Sequence, residues 1–257
     1  MARPAAIITG ASAGIGTALT RVFAAHGHEL VLVARREARL QSLADEIAGQ
    51  GRSRPLVIGL DLTQAGAAAR IDEAMTAAGL EPQYVVNNAG FGLWGSAAQL
   101  NRDEQLAMVD LNVRTLVDLS LAFVDSLARQ RGGILNVASV AGFLPGPNMT
   151  VYYASKAFVL SFSDSLRAEL APRGIRLTVL CPGPVPTEFQ ARAGGIPPQG
   201  GRLLARTADE VALDGYRGLM AGRAYVVPGW PNRLITMLLP RLLPRTFLAA
   251  QMARVQR

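Results

Sequence analysis

The chain has 257 residues, of which 50% are apolar and 18% charged, which suits one large α/β domain with a sizeable core. Cys181 is the only cysteine, which excludes an intrachain disulfide, and the absence of both a targeting signal and a long apolar stretch predicts a cytoplasmic protein. Residues 215–257 contain seven of the 26 basic residues and none of the 19 acidic residues, so the whole net charge of +7 lies in this segment. A nucleic-acid-binding domain would carry such charge on a recognition element, and since none is evident, no nucleic-acid partner is expected.

Short runs rich in Val, Ile and Leu recur along the chain without alternation of apolar and polar residues. That pattern is typical of strands buried on both faces, as in a parallel sheet. The predicted strands are Ala5–Thr9, Glu29–Ala34, Pro55–Leu60, Tyr84–Asn87, Ile134–Ser139, Arg176–Cys181 and Ala224–Val227.

Longer amphipathic stretches separate these runs. The predicted helices are Ile15–His26, Glu37–Gly49, Ala65–Ala78, Arg102–Arg129, Tyr152–Leu170 and Ala208–Ala221. The alternation predicts βαβ units and a doubly wound parallel sheet of about seven strands with helices on both faces. Ligands of such sheets bind at the carboxyl ends of the strands, where residues 182–206, rich in Pro and Gly, are expected to form a loop.

A glycine-rich turn follows the first predicted strand, with Gly10, Ser12, Gly14, Ile15 and Gly16 leading into a helix. Glycines allow a tight turn and a close backbone approach to a pyrophosphate, and the helix N-terminus favours negative charge. The turn therefore predicts a dinucleotide site, although a tight turn without a ligand would use the same residues.

The second predicted strand ends in Arg35 and Arg36, where an acidic residue would bind the ribose 2′-hydroxyl of NAD. Two guanidinium groups suit a 2′-phosphate instead, and the Ser12 hydroxyl could add a hydrogen bond. NADP is therefore the predicted cofactor. The alternative is that both arginines only begin a solvated helix.

Tyr152 and Lys156 lie four residues apart on a predicted helix and share one face. Lys156 is the only lysine among 26 basic residues, which favours a site where arginine cannot replace it. An ammonium group near a phenol favours the phenolate, so a lowered pKa is predicted for Tyr152. Ser139 ends the preceding strand and could hold a substrate oxygen beside the tyrosine.

Taken together, these motifs resemble the short-chain dehydrogenase/reductase family over roughly residues 5–228. The matching segments are Thr9–Gly16, Asn87–Gly90, Asn112, Ser139, Tyr152–Lys156 and Pro182–Thr187. The resemblance implies a Rossmann fold, with a dinucleotide-binding and catalytic domain over residues 1–228 and a C-terminal extension over 229–257. It also implies an NADP-dependent enzyme that interconverts carbonyl and alcohol groups and forms a homodimer or homotetramer. No metal site is implied.

The resemblance assigns a role to each matched position. Tyr152 would be the acid–base residue, Ser139 would polarise the carbonyl, Lys156 would bind the nicotinamide ribose, and Asn112 would hold a water molecule. The remaining cofactor contacts would come from residues along three strand ends: Asp61 and Leu62 beside the adenine, then Asn88, Ala89 and Gly90, and finally Pro182, Gly183, Val185 and Thr187 at the carboxamide.

Two rival functions share these residues, namely a cofactor-sensing protein without turnover and an NAD-linked alcohol oxidiser. The substrate is expected to be an apolar ketone, aldehyde or acyl compound, because the residues expected around the pocket are largely apolar: Phe143, Leu144, Phe189 and Ile196.

The tail over residues 228–257 is apolar and rich in arginine, with Pro240 and Pro244 expected to break it into short segments. It could pack over the pocket or against a partner subunit, lie in a membrane surface, or attract an anionic substrate.

Overall fold

The computed structural model describes residues 2–194 and 204–255 of the chain. Within these residues, seven parallel strands form one sheet with helices on both faces, which confirms the predicted doubly wound α/β fold. The strands are β1 Arg3–Thr9, β2 Glu29–Ala34, β3 Leu56–Gly59, β4 Leu80–Asn87, β5 Gly133–Val137, β6 Arg176–Leu180 and β7 Tyr225–Val226.

The strand order β3-β2-β1-β4-β5-β6-β7 places a topological switch between β1 and β4. The chain moves outward from β1 to β3, then returns across the sheet to β4 and continues in the other direction. Such a switch leaves a crevice at the carboxyl ends of the two central strands. The glycine-rich turn after Thr9 and the segment after Asn87 both lie there.

Helices over the described residues cover both faces of the sheet. They are α1 Gly14–Ala25, α2 Glu37–Gly49, α3 Ala67–Ala77, α4 Arg102–Val109, α5 Thr115–Ala122, α6 Val124–Arg129, α7 Thr150–Leu170, α8 Glu188–Arg192, α9 Ala208–Met220, α10 Trp230–Leu242 and α11 Arg245–Val255. The helix predicted over Arg102–Arg129 is confirmed from Arg102 to Ala122, where it contains a π-helical turn at Asp110–Arg114. A break at Phe123 separates this part from α6.

Successive side chains of each strand pack into two cores, one on each side of the sheet. Ile7 contributes to the core beneath α3, α5 and α7, whereas its neighbour Ile8 contributes to the core beneath α1, α2 and α9. Strands buried on both faces have no polar side, which explains why their sequences do not alternate. Cys181 is fully buried, and burial raises the pKa of its thiol.

The tail forms two helices, α10 and α11, that meet at Pro244. The expectation that both prolines break the tail holds for Pro244 and is wrong for Pro240, which lies in the last turn of α10. No helix in the described part of the chain is both long and apolar enough to span a membrane.

The predicted loop over residues 182–206 contains a short helix, α8. The Thr187 hydroxyl accepts a hydrogen bond from the amide of Phe189, and the Gln190 side chain accepts one from the Thr187 amide, which starts the helix with a capping box. Residues 195–203, including Ile196, lie outside the described residues.

Candidate active site

The glycine-rich turn packs directly on the segment that follows β4. Gly10 has a φ of 64°, and a Cβ atom there would lie 2.9 Å from Ala89 Cα and from Asn88 Nδ2. A side chain at Gly16 would collide with the Gly10 carbonyl oxygen. The turn therefore requires glycine at both positions, and its backbone amides remain close to the surface where a pyrophosphate would bind.

Thr9 joins the two strands at the switch, a role that sequence reasoning did not give it. Its hydroxyl accepts hydrogen bonds from the amides of Asn88 and Ala89, each 3.0 Å long, and donates one to Val86 O. The Asn88 side chain donates in return to Thr9 O at 2.8 Å. These bonds hold Asn88, Ala89 and the adjacent Gly90 at the floor of the crevice.

A cluster of arginines lies at the end of β2, where the sequence predicts the adenosine end of the crevice. Arg36 Nε donates to the Ser12 hydroxyl at 3.2 Å, so the structure brings these two predicted cofactor residues together. The guanidinium of Arg36 also pairs with Glu188 at 2.6 Å, and Arg39 pairs with the same carboxylate at 2.5 Å. These hydrogen bonds hold the pKa of Glu188 below its usual range. Neither Glu188 nor Arg39 was predicted.

Asp61 and Leu62 follow β3 at the same edge. The Thr63 backbone amide, at 3.0 Å, and its hydroxyl lower the pKa of Asp61, and the charge of Arg35 adds a smaller effect. Leu62 is buried, and its carbonyl accepts a hydrogen bond from Thr115. Arg35 is exposed and lies near Asp61, whereas Arg36 reaches toward Ser12.

Asn112 lies in the π-helical turn and is almost completely buried. Its amide exchanges two hydrogen bonds with the backbone of Phe91, at 3.1 and 2.9 Å, and donates a third to the Ser155 hydroxyl at 3.2 Å. The additional residue in a π turn locally changes the direction of the helix, which is common at functional sites. Here the turn joins α7 to the segment after β4.

Ser139, Tyr152 and Lys156 meet between the end of β5 and the first turns of α7. The Ser139 hydroxyl hydrogen bonds with the Tyr152 phenol and accepts from the Ala141 amide at 3.1 Å. Lys156 Nζ donates to Val137 O at 2.9 Å and lies 5.7 Å from the centre of the Tyr152 ring. The neighbouring Tyr153 packs against Gly146 instead, so Tyr152 is the tyrosine that faces the crevice.

The pKa values of both titratable groups are dominated by burial. Burial raises the pKa of Tyr152 to about 12, while the hydrogen bond with Ser139 acts in the opposite direction. Burial also lowers the pKa of Lys156 to about 8. The predicted lowering of the Tyr152 pKa is therefore wrong for the arrangement described, because removal of the phenol from water outweighs its polar neighbours.

The segment after β6 forms the wall beside these residues. The Val140 amide donates to Pro182 O at 3.0 Å, and Gln190 donates to Val185 O at 2.6 Å. A Cβ atom at Gly14 would lie 3.0 Å from Thr187 Cγ2, so this segment also reaches the glycine-rich turn. Pro182, Gly183, Val185 and Thr187 thus extend across the crevice from Ser139 to the turn.

The C-terminal tail supports this wall from outside. A Cβ atom at Gly183 would meet the side chain of Asn232 on α10, which is buried and donates to Leu204 O and Pro228 O, each at 3.0 Å. The inner side of α10 therefore packs on the segment that follows β6.

Of the apolar residues expected at the pocket, Phe189 lies beside the tyrosine, with ring centres 5.3 Å apart. Phe143 packs against Tyr225, and Leu144 lines a separate cavity on the other side of α7 together with Tyr153 and Arg245. A Cβ atom at Gly92 would lie close to the side chains of Phe189, Met149 and Tyr152. Phe189 and Gly92 thus give Tyr152 an apolar side, while Ser139 and Lys156 are its polar neighbours at the crevice.

Residues 4–194 match the short chain dehydrogenase family, and the chain belongs to that family. It is therefore an oxidoreductase of the class that acts on alcohol and carbonyl groups with a nicotinamide cofactor. A sulfoacetaldehyde reductase of Chromohalobacter salexigens is 41% identical over 196 residues, which span 73% of this chain and 75% of that protein.

Solved structures of similar proteins have the same architecture. A short-chain dehydrogenase from Sphingobium yanoikuyae in complex with NADPH has a TM-score of 0.78 and 30% identity, covering 98% of this chain and 93% of that chain. The bulky-bulky ketone specific alcohol dehydrogenase from Comamonas testosteroni has a TM-score of 0.75 and 30% identity, covering 99% and 93%. Similar structures also include a complex with NADH.

Proposed function

We propose that this protein is an NADP(H)-dependent oxidoreductase that reduces an apolar ketone, aldehyde or acyl carbonyl, with Tyr152 as the proton donor. The observation that carries the proposal is the contact of the Tyr152 phenol with Ser139 beside buried Lys156, at the edge of the sheet where the crevice opens. A sensor without turnover would not need these three groups together.

The residues of the crevice fit a dinucleotide. Gly10 and Gly16 let the turn pack closely on the segment after β4, where a side chain would not fit, and this close turn suits a pyrophosphate. Arg36 with Ser12 offers hydrogen bonds to a 2′-phosphate. Asp61 and Leu62 would flank the adenine, and the backbone of Asn88, Ala89 and Gly90 would line the cofactor. Pro182, Gly183, Val185 and Thr187 would receive the carboxamide. When bound, the nicotinamide supplies or accepts a hydride.

The protein side of the reaction is a proton transfer. With a pKa of about 12, Tyr152 carries its proton at neutral pH and can donate it to a carbonyl oxygen as negative charge develops there. The Ser139 hydroxyl would hold the same oxygen, which adds electrostatic stabilisation. Lys156 would bind the nicotinamide ribose, and Asn112 would position a water molecule between the lysine and solvent.

Replacing Arg36 with glutamine is expected to weaken NADPH binding by about tenfold and to leave NADH binding nearly unchanged, because only NADPH carries the 2′-phosphate. The dissociation constants of both nucleotides, measured by their fluorescence, test this expectation. Arg21→Gln is the matched control, since Arg21 is also exposed and paired with a glutamate, Glu46, on the α1–α2 surface. Preference of the unmodified protein for NADH would overturn the NADP assignment and favour alcohol oxidation.

Glu188 occupies guanidinium hydrogen bonds that a 2′-phosphate would use. Replacing Glu188 with glutamine is therefore expected to strengthen NADPH binding by several-fold, because the negative charge that competes for Arg36 and Arg39 is lost. Titrations with 2′,5′-ADP and 5′-AMP isolate the effect on the phosphate, and Glu46→Gln serves as the control. Equal strengthening for both nucleotides would show that Glu188 does not act on the 2′-phosphate.

We also propose that the protein forms a homodimer or homotetramer. Large apolar side chains are exposed on the helices around Asn112 and Tyr152, which supports a contact between copies there: Leu106, Val109, Leu121 and Phe158. The packing of Asn232 on Gly183 supports the further proposal that residues 229–257 are an extension of the domain over residues 1–228.

A further inference from the structure

Helix α10 presents a row of large apolar side chains to solvent. Trp230, Leu234, Leu238 and Leu242 are 68%, 52%, 43% and 71% exposed. Residues four apart lie on the same side of a helix, so the four form one stripe. The opposite side carries Asn232 and Thr236, both buried against the domain. Among the described residues, nothing covers the outer, apolar side of α10.

The charge around the stripe has one sign. Arg233 and Arg241 are exposed on α10, and Arg245 begins α11. No acidic residue occurs anywhere in residues 215–257. Phe247, which is 47% exposed, extends the apolar surface beyond Pro244. An exposed apolar face bordered by arginines is the combination that binds the interface of an anionic membrane.

A second copy of the chain is a poorer occupant for this surface. A two-fold interface places the same patch of both subunits face to face. Here it would bring one acid-free, arginine-bearing segment against another, and like charges across an interface oppose association. An anionic surface complements both the apolar and the charged parts of the patch.

We propose that α10 and the first turn of α11 attach this enzyme to the surface of an anionic membrane, with the stripe in the interface and the arginines at the headgroups. Thirteen residues of helix extend about 20 Å, less than the roughly 30 Å of a bilayer core, so α10 lies along the surface. The proposal does not depend on the identity of the substrate or on cofactor preference.

Sedimentation with vesicles tests the attachment on the full-length protein. We expect binding to vesicles of equal parts phosphatidylglycerol and phosphatidylcholine, weakened by high salt, and little binding to phosphatidylcholine alone. Replacing Leu234 and Leu238 together with glutamine is expected to lower the apparent affinity at least about tenfold, and so is replacing Arg233 and Arg241 together.

The control variant carries glutamine at Arg52 and Arg70, which are exposed arginines outside the tail and match Arg233 and Arg241 in charge and exposure. We expect it to bind vesicles as the unmodified protein does. NADPH affinity and circular dichroism show that each variant is folded, and light scattering gives its molar mass. The proposal is overturned if the unmodified protein does not bind anionic vesicles, or if the control loses as much vesicle binding as the stripe variant. It is also overturned if the stripe variant differs from the unmodified protein in molar mass but not in vesicle binding.

Discussion

Turnover of a ketone is expected to fall about thousandfold when Tyr152 is replaced with phenylalanine, while the dissociation constant for NADPH changes little. The variant loses only the hydroxyl that donates the proton, and general acid catalysis contributes about 10²–10⁴ in rate. The aromatic ring that packs at 5.3 Å from Phe189 remains, so the pocket keeps its shape. Steady-state reduction of an apolar ketone together with a fluorescence titration of NADPH measures both quantities.

Tyr153→Phe is the matched control for that experiment. Tyr153 is the adjacent phenol on α7, and its ring packs against Gly146 on the side away from the crevice. It should retain most of the activity. Substantial turnover by Tyr152→Phe, or a comparable loss in the control, would show that Tyr152 is not the proton donor.

Replacing Lys156 with methionine is expected to reduce turnover at least about hundredfold. Lys156 is the buried cation next to the phenol, and methionine has a similar length but neither a charge nor a donor for Val137 O. If Lys156 binds the nicotinamide ribose, Lys156→Met also weakens NADPH binding, whereas Tyr152→Phe does not. The ratio of turnover loss to binding loss therefore distinguishes the two residues.

The pH dependence gives an independent measure of the lysine. Burial lowers the pKa of Lys156 to about 8, so its charge is present below that pH and is lost as pH rises through it. Ketone reduction should decline over this range, well below the pH at which Tyr152 itself would lose its proton. In Lys156→Arg the charge persists, so the decline near pH 8 should disappear even if turnover is lower. A decline that survives in this variant would assign it to another group.

The strands were predictable because they are buried on both faces. β2, Glu29–Ala34, has five consecutive buried residues, and no amphipathic helix has that pattern. Elements that depend on packing were harder to locate. The π turn around Asn112 leaves no mark in the sequence period, because the polar groups that stabilise it, the Phe91 backbone and Ser155, come from other parts of the chain.

The candidate site was predictable where motif spacing fixes the geometry. Tyr152 and Lys156 share a helical face whatever surrounds them. Glu188 and Arg36 lie 152 positions apart in the chain, and no local sequence pattern predicts a contact over such a separation. The raised pKa of Tyr152 has the same origin, since it depends on the burial that distant segments such as Phe189 create.

The Asn232 side chain next to Gly183 has a practical consequence for anyone who shortens or redesigns this protein. The last strand of the sheet ends at Val226, two residues before Pro228. A chain cut at Pro228 would nevertheless lose the Asn232 amide, which donates to Leu204 O and packs against Gly183. The segment after β6 would then be open to water on the side of Gly183. A truncated protein that no longer binds membranes could therefore have lost either the attachment surface or the structure of the crevice. Substitutions at Leu234 and Leu238 avoid this ambiguity, because the buried, inner side of α10 stays in place.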